Sequence, residues 1–288
     1  MTETLLSDRA WLWIAAALYS GGFVFGTISL ARNQRHPRGL MFFIIISGFV
    51  VQTFGLYLRG KAVGGCPIGN TFEILQFTTW SATALYLAVG AAFRLSLLGY
   101  FTTVLAATLS VVSLAISPWD SMRRVGIFGG NPWIEFHAAL ALFSYGVFGL
   151  LALTSIMYLL QWFSLKRQRM NGIYSFLPPI RDLDHINVRL LSVGTALLAA
   201  SLVVGSIHWF KNTGAAVNTA MLILGALWLA YAIALALRLT NIFPTRRLAW
   251  TCIALFAAAI VTLGFINAHR MPPPSLPSHA ASMTMPRP

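Results

Sequence analysis

Apolar runs of about 20 residues recur along the chain from end to end, and each is long enough to cross a ~30 Å hydrocarbon layer as a helix. They fall at about 11–31, 40–58, 70–93, 95–117, 135–163, 189–210, 216–238 and 248–268. In lipid the backbone has no water to bond, so a spanning segment is a helix or part of a closed barrel. The runs lack the apolar–polar alternation of a barrel strand. The sequence therefore predicts an all-α integral membrane protein, a polytopic bundle of about eight transmembrane helices. Composition agrees, with 57% hydrophobic and 9% charged residues against roughly 25% charged in soluble domains. The first run is too long for a signal-peptide core and no small-residue cleavage site follows it, so it reads as a retained span. The membrane domain covers 1–269, and the Pro- and Ser-rich segment 270–288 reads as a disordered tail.

The net charge of +13 raises nucleic acid as a partner, but its distribution excludes that class. The basic residues sit in short connections between spans, where they set orientation. Twelve fall on one side: Arg32, Arg35, Arg38, Arg94, Lys166, Arg167, Arg169, Arg181, Arg189, Arg238, Arg246 and Arg247. Eight fall on the other: Arg9, Arg59, Lys61, Arg123, Arg124, Lys211, Arg270 and Arg287. The richer side is assigned to the cytoplasm, which places both termini extracytoplasmic. Three connections are long enough to have a role: 59–69 and 118–134 outside, and the basic 164–188 inside, which is read as lying along the membrane surface.

Glu73 is one of seven acidic residues, yet it opens an apolar run. Asn70, Glu73, Phe77, Trp80 and Ala84 fall on one helical face, with Gln76 beside them. Such a face points into the bundle, and an interhelical hydrogen bond accounts for it without chemistry. Asn70 or Thr71 is the expected cap of that helix. Cys66 and Cys252 fall at opposite ends of the bundle and cannot pair within one chain; Cys66 reads as a packed thiol. Of six histidines, His137, His208 and His269 sit at outer ends of spans. Imidazoles gathered at one face could ligate a metal or a haem iron. They could equally be interfacial polar residues, since no HxxxH or CxxCH pattern joins them.

The stretch "CPIGNTFEILQFTTW" resembles the "PLSNLYESLIFLSW"-type helix of the CcsA/ResC cytochrome c assembly family, with Pro67, Asn70, Glu73, Phe77 and Trp80 at matching places. "NPWIEFHAALALFSYGVF" is similar to that family's next landmark and supplies Trp133, His137, Ser144, Tyr145 and Phe148. "LPPIRDLDHINVRLLSVGTALLAASLVVGSIHW" and the closing segment ending in "GFIN" follow the family's order across roughly 64–269.

The resemblance implies a bacterial inner-membrane protein that binds or passes haem at the extracytoplasmic face. His137 would be one axial ligand, with His269 or His208 opposite. Trp119, Trp133 and Trp209 would pack on the porphyrin, and Glu73 would belong to the polar face nearby. Implied partners are membrane lipid, a ResB/CcsB-like subunit and apocytochrome c, whose own cysteines would add to the haem vinyls.

Two departures stand out. The family's tryptophan-rich loop is replaced by "HWFKNTGAAVNTAML", and its transmembrane histidine is Ala236 here. In this the chain resembles the shorter HemX-like and YpjD-like relatives. Two rival functions follow: a HemX-like membrane regulator of haem biosynthesis without bound haem, or a small-solute transporter. The transporter reading lacks the broken helix pair and inverted repeat it would need.

Overall fold

The computed structural model describes residues 7–32, 38–93, 96–120, 131–168, 177, 179–212 and 219–268. They form eight helices: α1 (Asp8–Ala31), α2 (Arg38–Val63), α3 (Thr71–Phe93), α4 (Ser96–Ala115), α5 (Pro132–Lys166), α6 (Ile180–Asn212), α7 (Thr219–Leu239) and α8 (Thr245–Ala268), with a 3-10 turn at Ser117–Asp120 after α4. Among the described residues there is no strand. The polytopic all-helical bundle expected from the apolar runs is the observed fold.

Seven of the helices are long and apolar enough to cross a membrane, and α3 is not among them. Its sequence explains the exception. Glu73, Gln76, Thr78, Thr79, Ser81 and Thr83 are all buried along it, shielded by α2, α4 and α5. The protein is polar in this part of its interior and apolar on its perimeter, where Phe43, Val50, Val203, Leu222, Leu229 and Val261 are exposed.

Two boundaries differ from the sequence expectation. The second helix continues past 58 to Val63, so Arg59 lies in a helix and not in an outer loop. The sixth begins at Ile180, nine residues before 189, within what reads as a surface loop. Pro179 stands just before its first turn, and the Asp182 N–H bonds back to the Pro179 carbonyl. From there Leu183, Ile186 and Leu190 bury one face, while Arg181, Asp182 and His185 stay exposed. That amphipathic pattern extends the helix toward the loop.

The helices pack as two groups. In the first, α1 lies against α2 and α4, and α3 against α2 and α4; in the second, α5 lies against α6 and α8, and α7 bridges α6 and α8. A polar chain crosses the first group. The Tyr19 hydroxyl donates to Gln52 Oε1 (3.0 Å), Gln52 Nε2 to Gln76 Oε1 (2.9 Å), and Gln76 Nε2 to Ser113 Oγ (2.9 Å). All four helices contribute one side chain. In the second group Phe148 of α5 stacks on Tyr231 of α7, with ring centroids 3.7 Å apart and planes within 3°.

The groups meet mainly where α3 lies on α5, and Gly146 sets the distance. A Cβ there would come within 2.5 Å of Ser81 Cβ and 2.7 Å of the Ala82 backbone nitrogen. Backbone cannot swing aside as a side chain can, so small residues at such crossings decide how close two membrane helices come. Gly146→Val should therefore pry the groups apart. Overpacking costs typically about 1–3 kcal/mol, and the variant should melt several degrees lower in detergent, read by size-exclusion after heating.

Candidate functional site

One set of ends of the first four helices converges on one guanidinium. Asn70 caps α3, its Oδ1 accepting the Glu73 N–H at 2.8 Å. The cap places Glu73 in the first turn, where Oε2 accepts the Gly69 N–H (2.6 Å) and Oε1 accepts Arg59 Nε (2.7 Å). Arg59 is fully buried. Its Nη1 donates to Asp8 Oδ2 (2.9 Å) and Asp120 Oδ2 (3.2 Å), and its Nη2 to Asp120 Oδ1. Arg9 joins from α1, donating to Asp120 Oδ2 (3.1 Å) and to the Leu114 carbonyl (2.7 Å). The Phe72 ring lies 4.8 Å from the Arg59 guanidinium carbon and 5.8 Å from that of Arg9, close enough for cation–π attraction.

Two guanidiniums thus face three carboxylates. The extra negative charge is offset by geometry, since Asp8 and Glu73 each sit in the first turn of a helix, where the macrodipole is positive.

His137 lies at the same end. Asn131 caps α5, accepting the Trp133 N–H at 3.0 Å, and Pro132 opens the helix. A Cβ on Gly65 would lie 2.7 Å from Glu135 Oε1, so the α2–α3 loop rests on the turn that carries His137. The imidazole turns toward α6. Nδ1 is 2.6 Å from the Ser201 carbonyl oxygen and 3.0 Å from Ser201 Oγ, while that hydroxyl donates to the His137 carbonyl at 2.9 Å. A carbonyl oxygen only accepts, and the hydroxyl proton is already given away. Nδ1 must therefore carry the ring proton, which puts the neutral imidazole's lone pair on Nε2. Metal-binding histidines commonly show this arrangement, one nitrogen donating to a carbonyl and the other holding the metal.

The other sequence candidates are distributed as follows. Trp133 is 65% exposed at the start of α5. Trp119 packs with Trp80 against Leu12, Ala16, Leu56, Phe72 and Leu114 in the first helix group. Glu73 has both carboxylate oxygens engaged in the ionic cluster. His208 and Trp209 fall in the last turns of α6, but their side chains lie outside the described residues, as does His269 entirely. Position 208 follows Ser201 by two helical turns, on the face that also carries Gly205.

Sequence reasoning missed Arg59 as the partner of Glu73, Asp8 and Asp120 as the further partners of Arg59, and Ser201 and Gly205 as partners of His137. The small-residue spacing Ser201–Gly205 was a usable signal for a close helix contact.

Among the described residues no three His, Cys, Asp or Glu side chains gather as a metal site. Haem needs fewer, because the porphyrin supplies four nitrogens and the protein at most two axial ligands. One imidazole held in the Nδ1–H tautomer at a membrane face fits that requirement.

These features define a polytopic helical membrane bundle with a histidine held at one end. The family profile described as Cytochrome C assembly protein matches residues 68–268, and the chain belongs to that family. It is 28% identical over 207 residues to Protein HemX of Brevibacillus brevis, covering 72% of this chain and 75% of the relative. To Protein HemX of Bacillus subtilis it is 24% identical over 205 residues, covering 67% and 73%. To Cytochrome c biogenesis protein CcsA of Gloeobacter violaceus it is 25% identical over 176 residues, covering 59% and 50%.

Cys66, in the loop before α3, has its thiol pushed up to about 11, first by burial and then by the nearby Glu135 and Glu73 carboxylates. Only the thiolate attacks electrophiles, so at pH 7.5 roughly one molecule in three thousand is reactive. Alkylation of the native protein by iodoacetamide should be far slower than after denaturation, read by mass spectrometry.

The ionic cluster supplies a second test. Arg59→Met leaves three carboxylates without their central partner, and breaking a buried pair this way costs about 3–5 kcal/mol. The variant should lose most folded yield in detergent. Arg59→Lys, with a point charge in place of the fork, should fall between the two.

Proposed function

We propose that the protein binds haem at the end of the bundle that carries His137 and hands it on in cytochrome c biogenesis. The supporting observation is the His137 imidazole itself, with its Nδ1 proton on the Ser201 carbonyl and its lone pair on Nε2. Family membership gives this geometry a context, since the matched region includes His137, Ser201 and all of α3. His137 Nε2 would donate to the iron, and His208 or His269 would supply the opposite ligand. Trp133, exposed at the same helix start, would cover part of the porphyrin. The haem is cargo here, and its vinyl groups would accept the apocytochrome's cysteine thiols.

In this reading the His137 end faces the extracytoplasmic side of a bacterial inner membrane, with both termini on that side. The opposite end carries the Asp184–Arg238 pair and the cations Lys166 and Arg246, both against the Trp162 ring, which suits a cytoplasmic surface. Helix α6 ends at Asn212 and α7 starts at Thr219, leaving between them only 213–218, without an aromatic residue. A connection that short leaves little to cover the haem. The protein therefore acts with a partner subunit of the ResB/CcsB kind and apocytochrome c, holding haem loosely enough to release it.

The check is spectroscopic. Protein purified from a haem-producing host should show a Soret band, and His137→Ala should lose most of it, with partial recovery on adding imidazole. His208→Ala and His269→Ala should differ from each other, the larger loss marking the second ligand. Haem content unchanged in His137→Ala would remove the assignment. A wild-type protein that never takes up haem would favour the regulatory role instead.

A further inference from the structure

We infer that Ser201 and Gly205 of α6 form a seat that fixes His137 in one tautomer and one orientation, making both of them positioning residues for the Nε2 lone pair. The inference rests on the haem reading for its purpose, but its geometry stands without haem. Three hydrogen-bond contacts join the two residues: Nδ1 to the Ser201 carbonyl (2.6 Å), Nδ1 to Ser201 Oγ (3.0 Å), and Ser201 Oγ to the His137 carbonyl (2.9 Å). Ser201 is itself fully buried and His137 half-buried, so these bonds are partly shielded from water, which strengthens them.

Gly205, one turn further along α6, supplies the space. A Cβ at that position would lie 2.6 Å from His137 Cε1, 2.7 Å from Nδ1 and 3.1 Å from Nε2. The ring edge that carries both nitrogens therefore rests against the glycine, and any side chain there would displace it. Glycine in a helix interior is otherwise unfavourable relative to alanine. Three residues on, position 208 falls on the same side of the helix, so the seat and one candidate second ligand share a register.

A side chain fixed by packing and by a carbonyl behind its far nitrogen holds a ligand atom in place, and disturbing such outer partners typically weakens metal binding by about 10- to 100-fold. Gly205→Ala should therefore lower haem affinity by that factor. Ser201→Ala keeps the backbone carbonyl and should lose less, while Ser201→Thr, which keeps the hydroxyl, should restore most of the loss.

The deciding experiment needs no haem. In detergent-purified apoprotein labelled with ¹⁵N-histidine, the His137 ring signals, assigned by their disappearance in His137→Asn, should report a protonated Nδ1 and a bare Nε2. In Gly205→Ala this preference should be lost. The melting temperature gives an independent cycle: Gly205→Ala should lower it in the wild type yet leave it unchanged or raise it in His137→Ala, where no ring is left to displace.

A wild-type signal with the proton on Nε2 overturns the seat, whatever the haem content. So does a Gly205→Ala effect of equal size in both backgrounds. If the tautomer and the cycle hold while His137→Ala keeps its haem, the seat stands and the haem assignment falls.

Discussion

A guanidinium cannot give up its proton inside a protein, so once Arg59 is buried its charge has to be met where it stands. The carboxylates that meet it come from Asp8 at the start of α1, Glu73 at the start of α3 and Asp120 after α4. None is close to the others in sequence. Satisfying one side chain therefore draws the ends of four helices to a single point. The desolvation cost of such a cluster is large, and its worth lies less in net stability than in the arrangement it requires. Any register in which α3 slid by one turn would separate Glu73 from Arg59 and leave both charges buried.

The remainder of the histidine-bearing end is positioned from there. With its first turn fixed, α3 presents Ser81 and Ala82 to Gly146 of α5, and the loop before it rests on Glu135. Both contacts locate α5, whose second turn carries His137. Helix α6 then closes on the imidazole through Ser201 and Gly205. Lipid provides no hydrophobic drive to bring apolar helices together, so close packing and interhelical hydrogen bonds specify membrane bundles. The Tyr19–Gln52–Gln76–Ser113 chain and the His137–Ser201 contacts are two instances in this protein. The first fixes a scaffold; the second fixes the imidazole against α6.

Several parts of this arrangement were readable in the residue order. The apolar runs gave the helices, and of the two expected caps of α3, Asn70 and Thr71, it is Asn70 that accepts the Glu73 N–H. The quoted motifs gave the family. Arg59 was misread as a loop residue because a run-based boundary stops at the first charge, whereas this charge is neutralised inside the bundle and the helix continues. The first turns of α6 were misread for the opposite reason. Their charged face is conspicuous in sequence, while the Leu183–Ile186–Leu190 face becomes meaningful only once α5 lies against it.

What the sequence determined alone is whatever follows from short-range chemistry: which segments must be helices in lipid, and which rare polar residues lie among them. Pairing belongs to the tertiary structure. Arg59 with Asp8, Glu73 and Asp120, and His137 with Ser201 and Gly205, join residues from 14 to 64 or more positions apart along the chain. A residue's own periodicity tells which face it occupies and not which partner meets that face. The orientation of the imidazole is likewise decided by the tertiary structure, because the carbonyl that meets Nδ1 belongs to another helix.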